Sequence, residues 1–547
     1  MYERWLTEES RQFLQMDYLL PGTAPEDRIE YMGNAAESLL RLSGYAKKFQ
    51  HCMDRGWFSL SSPIWTNFGN RRGLPISCYG SYVEDNIKSI LHTQAEIGMM
   101  TKHGGGTSLY IGNIRGRGED ITNNGKTSGS VHFLQLYDTT IKVISQGSSR
   151  RGQCAAYLPI WHKDIEEFLQ IRHEGHPIQD LSTGVCVSDE WLNSMLGGDK
   201  EKRRIWAKVI SSRINTGYPY LFFTDTVNNN TVDVYKDKQY RIYASNLCNE
   251  IMLPSNEDES FVCDLGSMNI LYYDEWKDTD AVEVLVYFLD AVMTDFINKG
   301  REIKFLNRAV RFAERHRALG VGWLGWHSYL QSKMIPFESM EAKYKNVEVA
   351  KSIKEQAHHA SVHLADQYGE PELLKGYGRR NTTLTAIAPT KSSSFIHGQV
   401  SEGVEPHRSN YYIKDLQKGK FTVKNTQLRQ LFLKKGEDSE GTWQSVLENG
   451  GSVQHLPFLN KEEKDVFKTF AEISQKEVVI QAAQRQKYVD QGQSLNLMIG
   501  SSVPTKDINA LLLEGWKLGV KGFYYQLGVS AAQSFTRNIL ACNNCES

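Results

Sequence analysis

Ser245-Asn246-Leu247-Cys248-Asn249-Glu250 sets a thiol between an amide and a carboxylate, each two residues away. Read as extended backbone, this spacing turns Asn246, Cys248 and Glu250 to one face, because side chains alternate along a strand. A thiol so flanked can act on a molecule that the amide and the carboxylate both hold. A half-buried strand whose cysteine is only a small hydrophobe gives the same pattern, so the weight falls on the residues around it. Cys78 ends the apolar run 74–78 and Cys263 sits in the run 261–265. Each alone reads as a buried, inert thiol. On neighbouring strands the two could form a reversible disulfide if their Cβ atoms come within about 4 Å. The chain ends Cys542-Asn543-Asn544-Cys545-Glu546-Ser547, a CxxC pair on a polar tail, spaced for thiol–disulfide exchange. A thiol, a base and two dithiols are the parts needed to reduce a substrate with cysteine electrons.

Two further motifs suit this chemistry. Pro389-Thr390-Lys391-Ser392-Ser393-Ser394 follows an apolar run, and hydroxyls with unpaired N–H groups at a helix start suit a diphosphate; an ordinary N-cap is the alternative. Tyr524-Tyr525 reads first as core packing, yet adjacent phenols can also be oxidised and pass a hole onward. Cys52, Cys154 and Cys186 are read as structural. His103, set among glycines, suits a phosphate contact or a loop-stabilising role equally. No second CxxC or His pair completes four zinc ligands around Cys542 and Cys545, so no metal site is expected.

The elements that position these residues follow from periodicity. Residues 1–57 carry helical spacing, with Ala35, Leu39, Leu40, Leu42 and Tyr45 marking the face of one helix. From Ser61 onward short apolar runs alternate with amphipathic ones, as in 184–187 before 189–192 and 384–388 before Pro389. That rhythm predicts an α/β fold with mostly parallel pairing. Glycine- and charge-rich loops fall at 103–106, 115–125 and 147–152, and beyond Gln526 small polar residues read as a tether. At 547 residues the chain can form a large α/β barrel. Its net charge of -1 gives no bulk electrostatic case for nucleic acid or a membrane surface. No run of about 18 apolar residues is present, and the first residues do not open a signal peptide; the expectation is a cytoplasmic protein.

Taken together, in this order along the chain, these residues resemble the large catalytic subunit of class I ribonucleotide reductases, from about Ser61 to the C-terminus. The resemblance implies a ten-stranded α/β barrel of two five-stranded parallel halves spanning 58–528. It also implies a central finger loop near 245–265, a small N-terminal helical region at 1–57 and a redox tail at 529–547. Cys248 is then the transient thiyl radical that takes the substrate's 3′-hydrogen, Glu250 the base on the 3′-hydroxyl, and Asn246 an amide that hydrogen-bonds the substrate. Cys78 and Cys263 supply two electrons as the 2′-hydroxyl leaves as water. Cys542 and Cys545 re-reduce that disulfide and are recharged by thioredoxin or glutaredoxin. Tyr524 and Tyr525 match the radical-relay pair, which implies a metal-containing small (beta) subunit as the radical source and no cofactor in this chain. Ser62, Ser77, Thr390, Ser392, Ser393 and Ser394 match the contacts to a ribonucleoside diphosphate. Asp85 and Arg115 match contacts to dNTP or ATP specificity effectors, 118–125 the first specificity loop, and 146–153, with Arg150 and Arg151, the second. A homodimer is implied. Ser62 arrives too early for the N-terminal ATP-binding domain of many relatives, so no overall on/off switch is expected.

A cobalamin-dependent reductase with the same barrel is the nearest alternative, and Tyr524-Tyr525 argues against it. A glycyl-radical relative lacks its C-terminal segment here. A non-catalytic nucleotide-binding or redox-adaptor protein would have no use for all the mechanistic cysteines.

Overall fold

The computed structural model of the protein describes residues 2–144, 152–416 and 419–528. Its first strand, β1 (Phe58–Leu60), pairs antiparallel with the strand Phe261–Asn269. Five strands then follow in parallel: β2 (Cys78–Tyr82), β3 (Gly106–Tyr110), β4 (Cys154–Pro159), β5 (Ser182–Val187) and β6 (Tyr220–Phe223). Helices Ile87–Lys102, Ser130–Val143 and Lys200–Thr216 lie among the crossovers between them. The second half begins with β7 (Phe261–Asn269), parallel to β8 (Leu319–Leu324). It continues through the extended segment 383–387, bridged in parallel from Val321 to Thr385 and from Ile387 to Gln493. A hairpin, β9 (Tyr411–Leu416) with β10 (Gly419–Lys424), projects from the next connection. The half ends with 491–499, which contains β11 (Leu497–Ile499), and with 522–528, which contains β12 (Gly522–Phe523) and β13 (Gln526–Gly528), the last parallel to β11.

The two halves close on each other along antiparallel seams. One joins β2 to β7, with Cys78 opposite Cys263 and Gly80 opposite Phe261. The other joins β6 to β12, with Phe222 opposite Gly522. The result is the ten-stranded α/β barrel expected from the sequence. At Gly80 a side chain would drive a Cβ to 2.0 Å from the Phe261 ring, so the first seam needs a glycine there. Strands β3 to β6 are buried along their whole length. Parallel strands with both faces covered have this character: helices cover the outside, and the loop 238–260 between helix Asp233–Asp237 and β7 fills the inside.

The N-terminal residues form helices Glu8–Asp17, Pro25–Leu40 and Tyr45–Arg55. The single helix face expected through Leu42 and Tyr45 is instead broken. Arg41 turns left-handed (φ 50°), with its N–H and that of Leu42 capping Glu37 and Ser38 carbonyls, and Gly44 (φ 84°) opens the next helix. The buried stripe runs through Ile29, Met32, Ala36 and Leu40, one helical turn apart. These helices share one continuous core with the barrel, whereas Leu428, Phe432, Trp443, Val446 and neighbours up to Phe467 form a small separate core. Among the described residues no helix is long and apolar enough to cross a membrane.

Helix Ala281–Gly300 is buried almost all round. Its Asp290 accepts from Arg317 Nε (2.8 Å), just before β8, and from Arg380 Nε and Asn381 Nδ2 (2.9 and 3.2 Å), just before 383–387. Burial works to raise the Asp290 pKa, but the two guanidiniums hold it below the ordinary carboxylate value. One carboxylate thus pins two adjacent strands of the second half. Removing it takes the counter-charge from two buried guanidiniums, so Asp290→Ala is expected to cost about 3–5 kcal/mol. Lys48→Ala, which breaks an exposed pair with Asp280, is expected to cost under about 1 kcal/mol. Denaturant midpoints of the two variants check the contrast.

Candidate active site

The tip of the 238–260 loop is a turn, not the extended run that the period-two spacing suggested. Asn246 Oδ1 accepts the backbone N–H groups of Glu250 (3.0 Å) and Ile251 (3.1 Å). Asn249 takes a left-handed conformation (φ 64°), which asparagine tolerates better than most residues. A short polar side chain capping nearby N–H groups competes effectively with strand pairing. Cys248 and Glu250 therefore reach one cleft through a tight bend.

The barrel grips this tip from several strands. Tyr157 on β4 donates to Asn246 O (2.7 Å), and Asn249 Nδ2 donates to Leu221 O on β6 (3.2 Å). On the opposite side, Gly492 N donates to Glu250 O (2.8 Å) and Gln491 Oε1 accepts from Met252 N (3.1 Å). Ser494 Oγ reaches both Cys248 O (2.7 Å) and Glu250 Oε2 (3.0 Å). A Cβ on Gly106 of β3 would stand 3.1 Å from Leu247, so the tip passes close to that strand.

Asn246 Nδ2 donates to Cys78 Sγ (3.2 Å), which ties the tip to the first seam. Cys78 and Cys263, both present as thiols, are register partners there. Directly opposed residues project to the same face of the sheet, with Cα atoms about 4.5–5.5 Å apart, within the range a disulfide spans. Gln491 Nε2 lies 3.5 Å from Cys263 Sγ. Burial pushes the Cys263 thiol well above its usual pKa, so it stays protonated. Burial likewise raises Glu250 to about 7, against the opposing hydrogen bonds of its own N–H, Asn246 and Ser494. A carboxylate poised near neutrality suits proton transfer at physiological pH.

Cys78, Cys248 and Glu250 share a cleft, partly open to solvent, with Ser62, Ser77 and the 389–393 loop. Two short helices, Ser62–Asn67 and Lys391–Ile396, begin at its edge. Thr390, Lys391, Ser392 and Ser393 line it. Ser394 does not: its hydroxyl pairs with Thr390 Oγ1 (3.1 Å) and Ser401 O (3.3 Å), bracing the loop from behind. The Ser61 and Ser77 hydroxyls are buried without a hydrogen-bond partner among the described residues. Sequence reasoning missed Ser61, and also Gln491 and Ser494, which carry no motif; only their packing against the tip singles them out.

The tyrosine pair lies at the second seam. Tyr524 is fully buried and Tyr525 nearly so, with ring centroids 4.2 Å apart. Away from the cleft, Arg115 Nε bonds Asp85 Oδ2 (2.6 Å) in the loops that follow β2 and β3. His103 is half-buried, and burial lowers its pKa. Arg150, Arg151, Cys542 and Cys545 lie outside the described residues. Among those described, no cluster of three or more His, Cys, Asp or Glu residues is placed to hold a metal ion.

The raised pKa of Glu250 has a consequence for stability. A carboxyl that titrates higher in the folded than in the unfolded chain contributes fully below the unfolded value of 4.5 and loses that contribution as pH rises through about 7. Glu250→Gln removes the ionisation. The variant's thermal midpoint is expected to gain on the wild type between pH 5 and pH 8; a difference independent of pH would contradict the assignment.

A family model described as the barrel domain of ribonucleotide reductase matches residues 76–201, 197–374 and 371–526. The class Id ribonucleotide reductase alpha subunit of Actinobacillus ureae is similar in structure, with a TM-score of 0.92, 56% identity and 99% of each chain covered. A Frog virus 3 protein assigned to the ribonucleoside-diphosphate reductase large subunits is 36% identical over 92% of this chain and 90% of its own. The large subunit of Invertebrate iridescent virus 3 is 33% identical over 88% of this chain and 87% of its own. Matched from the first barrel strand to the last, and aligned with these large subunits over nearly its whole length, the chain belongs to the ribonucleotide reductase family.

Proposed function

We propose that this chain is the catalytic subunit of a class I ribonucleoside-diphosphate reductase, with Cys248 as the residue that carries the radical. The observation that supports it most directly is the convergence of three groups on one cleft. They are the Cys248 thiol, the Glu250 carboxyl and the Cys78 thiol opposite Cys263, beside a hydroxyl-rich loop with a lysine. The two helix starts, their backbone N–H groups and Lys391 favour an anion there, so the diphosphate sits against Ser62, Ser77, Thr390, Ser392 and Ser393, with Ser394 holding the loop. The sugar then faces the tip.

In this reading the Cys248 thiyl removes the 3′-hydrogen atom and later returns it. Glu250 accepts the 3′-hydroxyl proton, and Asn246 presents its amide to the same side of the substrate. The 2′-hydroxyl leaves as water, and the two thiols of Cys78 and Cys263 give up two electrons and two protons as their disulfide forms. The tail dithiol Cys542/Cys545 reduces that disulfide by exchange and is itself reduced by thioredoxin or glutaredoxin. Tyr525 and Tyr524 carry the oxidising equivalent from a small subunit to Cys248, each step moving one electron and one proton. The closely packed pair favours this route over cobalamin. Asp85 and Arg115 contribute to a dNTP or ATP effector site in a homodimer, with 118–125 and 146–153 as specificity loops.

Ribonucleoside diphosphate reduction with a radical-bearing small subunit and external reductant tests the assignment. Cys248→Ser is expected to abolish product formation while leaving diphosphate binding unchanged; turnover by that variant would refute the reading. Pre-reduced enzyme without external reductant is expected to give a burst of up to about two products per chain, one for each dithiol. Peptide mass spectrometry should then find a Cys78–Cys263 linkage that was absent before the burst. A burst without that linkage would remove these two residues from the electron-donor role.

A further inference from the structure

The relay reading leaves one contact of Tyr525 without a purpose. The Tyr218 hydroxyl lies 3.0 Å from the Tyr525 hydroxyl, and their rings meet edge to face with centroids 5.1 Å apart. Tyr218 is itself held in place. Ser182 Oγ on β5 donates to its hydroxyl (3.5 Å), and the Arg172 guanidinium stands 4.6 Å over its ring. Its backbone is locked to the same seam, because Thr216 Oγ1 accepts from Tyr218 N (3.1 Å) and Gly217 O accepts from Gln526 N (3.2 Å).

We propose that Tyr218 is a positioning residue for radical transfer, donating a hydrogen bond to the Tyr525 oxygen; this rests on the relay reading above. A phenol can donate or accept, but the phenoxyl oxygen left when Tyr525 loses one electron and its phenolic proton can only accept. With Ser182 donating to the Tyr218 oxygen, the Tyr218 proton points at Tyr525, so one hydrogen bond serves Tyr525 before and after oxidation. Tyr218 keeps its own proton and is not oxidised. The electron and the phenolic proton of Tyr525 both pass to the oxidant supplied by the small subunit, and a hydrogen atom from Tyr524 then restores Tyr525. Arg172 holds the Tyr218 ring by a cation–π contact and sets the angle of the donor.

The test uses the full chain with its radical-bearing small subunit, substrate and effector. Tyr218→Phe keeps the ring and removes the donor; kcat is expected to fall about tenfold with KM unchanged. A radical trapped on 3-aminotyrosine at position 525 reports the bond directly. Its largest g-value is expected to rise in the Tyr218→Phe background. In the chain unaltered at 218, exchange into D2O should reveal a coupled deuteron at the radical oxygen, a readout that does not depend on the variant folding. An unchanged kcat, an unchanged g-value or no exchangeable deuteron would overturn the proposal. Tyr525→Phe, run in parallel, separates the two claims. If it still turns over, the relay reading fails; if it is inactive while Tyr218→Phe behaves as wild type, only the role of Tyr218 fails.

Discussion

The arrangement turns on the carboxamide of Asn246. Its oxygen accepts two consecutive backbone N–H groups and so bends the tip that carries Cys248 and Glu250. Its nitrogen reaches the sulfur of Cys78 on the barrel wall. One side chain thereby fixes both the shape of the loop and its distance from the dithiol. Chemistry among closely set groups needs such fixed separations, because small misplacements of reacting atoms cost large factors in rate.

The closure of the barrel places the remaining chemistry. Within each half the barrel strands run parallel, and the two seams that join the halves are antiparallel. The first seam sets Cys78 directly opposite Cys263. The second brings β12 onto β6 and with it Tyr524 and Tyr525 against Tyr218 and Tyr220. The dithiol and the phenols therefore lie where the halves meet, and the tip between them is bonded to strands of both halves.

Burial then sets the chemical state of these groups. Removal from water disfavours charge, which keeps the Cys263 thiol protonated and brings Glu250 near neutrality. The second shift suits a group that exchanges protons at neutral pH. The fold meets the cost of polar groups at this depth by pairing them, as Ser494 does with Glu250 and Gln491 with Met252 N.

Much of this was legible in the residues. The strand–helix rhythm announced the parallel α/β halves, because covered parallel strands must be continuously apolar. The order of Cys78, Cys248, Glu250, Cys263 and Tyr524-Tyr525 carried the family resemblance. Local geometry was less legible. Alternation suggested an extended tip at 246–250, whereas the Asn246 cap, whose strength depends on burial, made a turn. Helical spacing through Leu42 hid the break at Arg41. Ser394 looked like its neighbours but faces away from the cleft, and Ser61, Gln491, Ser494 and Tyr218 gave no signal at all. The sequence by itself determined which atoms are available for chemistry and which segments are strands and helices, since both follow from side-chain type and local period. Only the tertiary structure decided which of those atoms meet, because register across the seams and the path of the inserted loop are set by contacts between residues far apart in the chain.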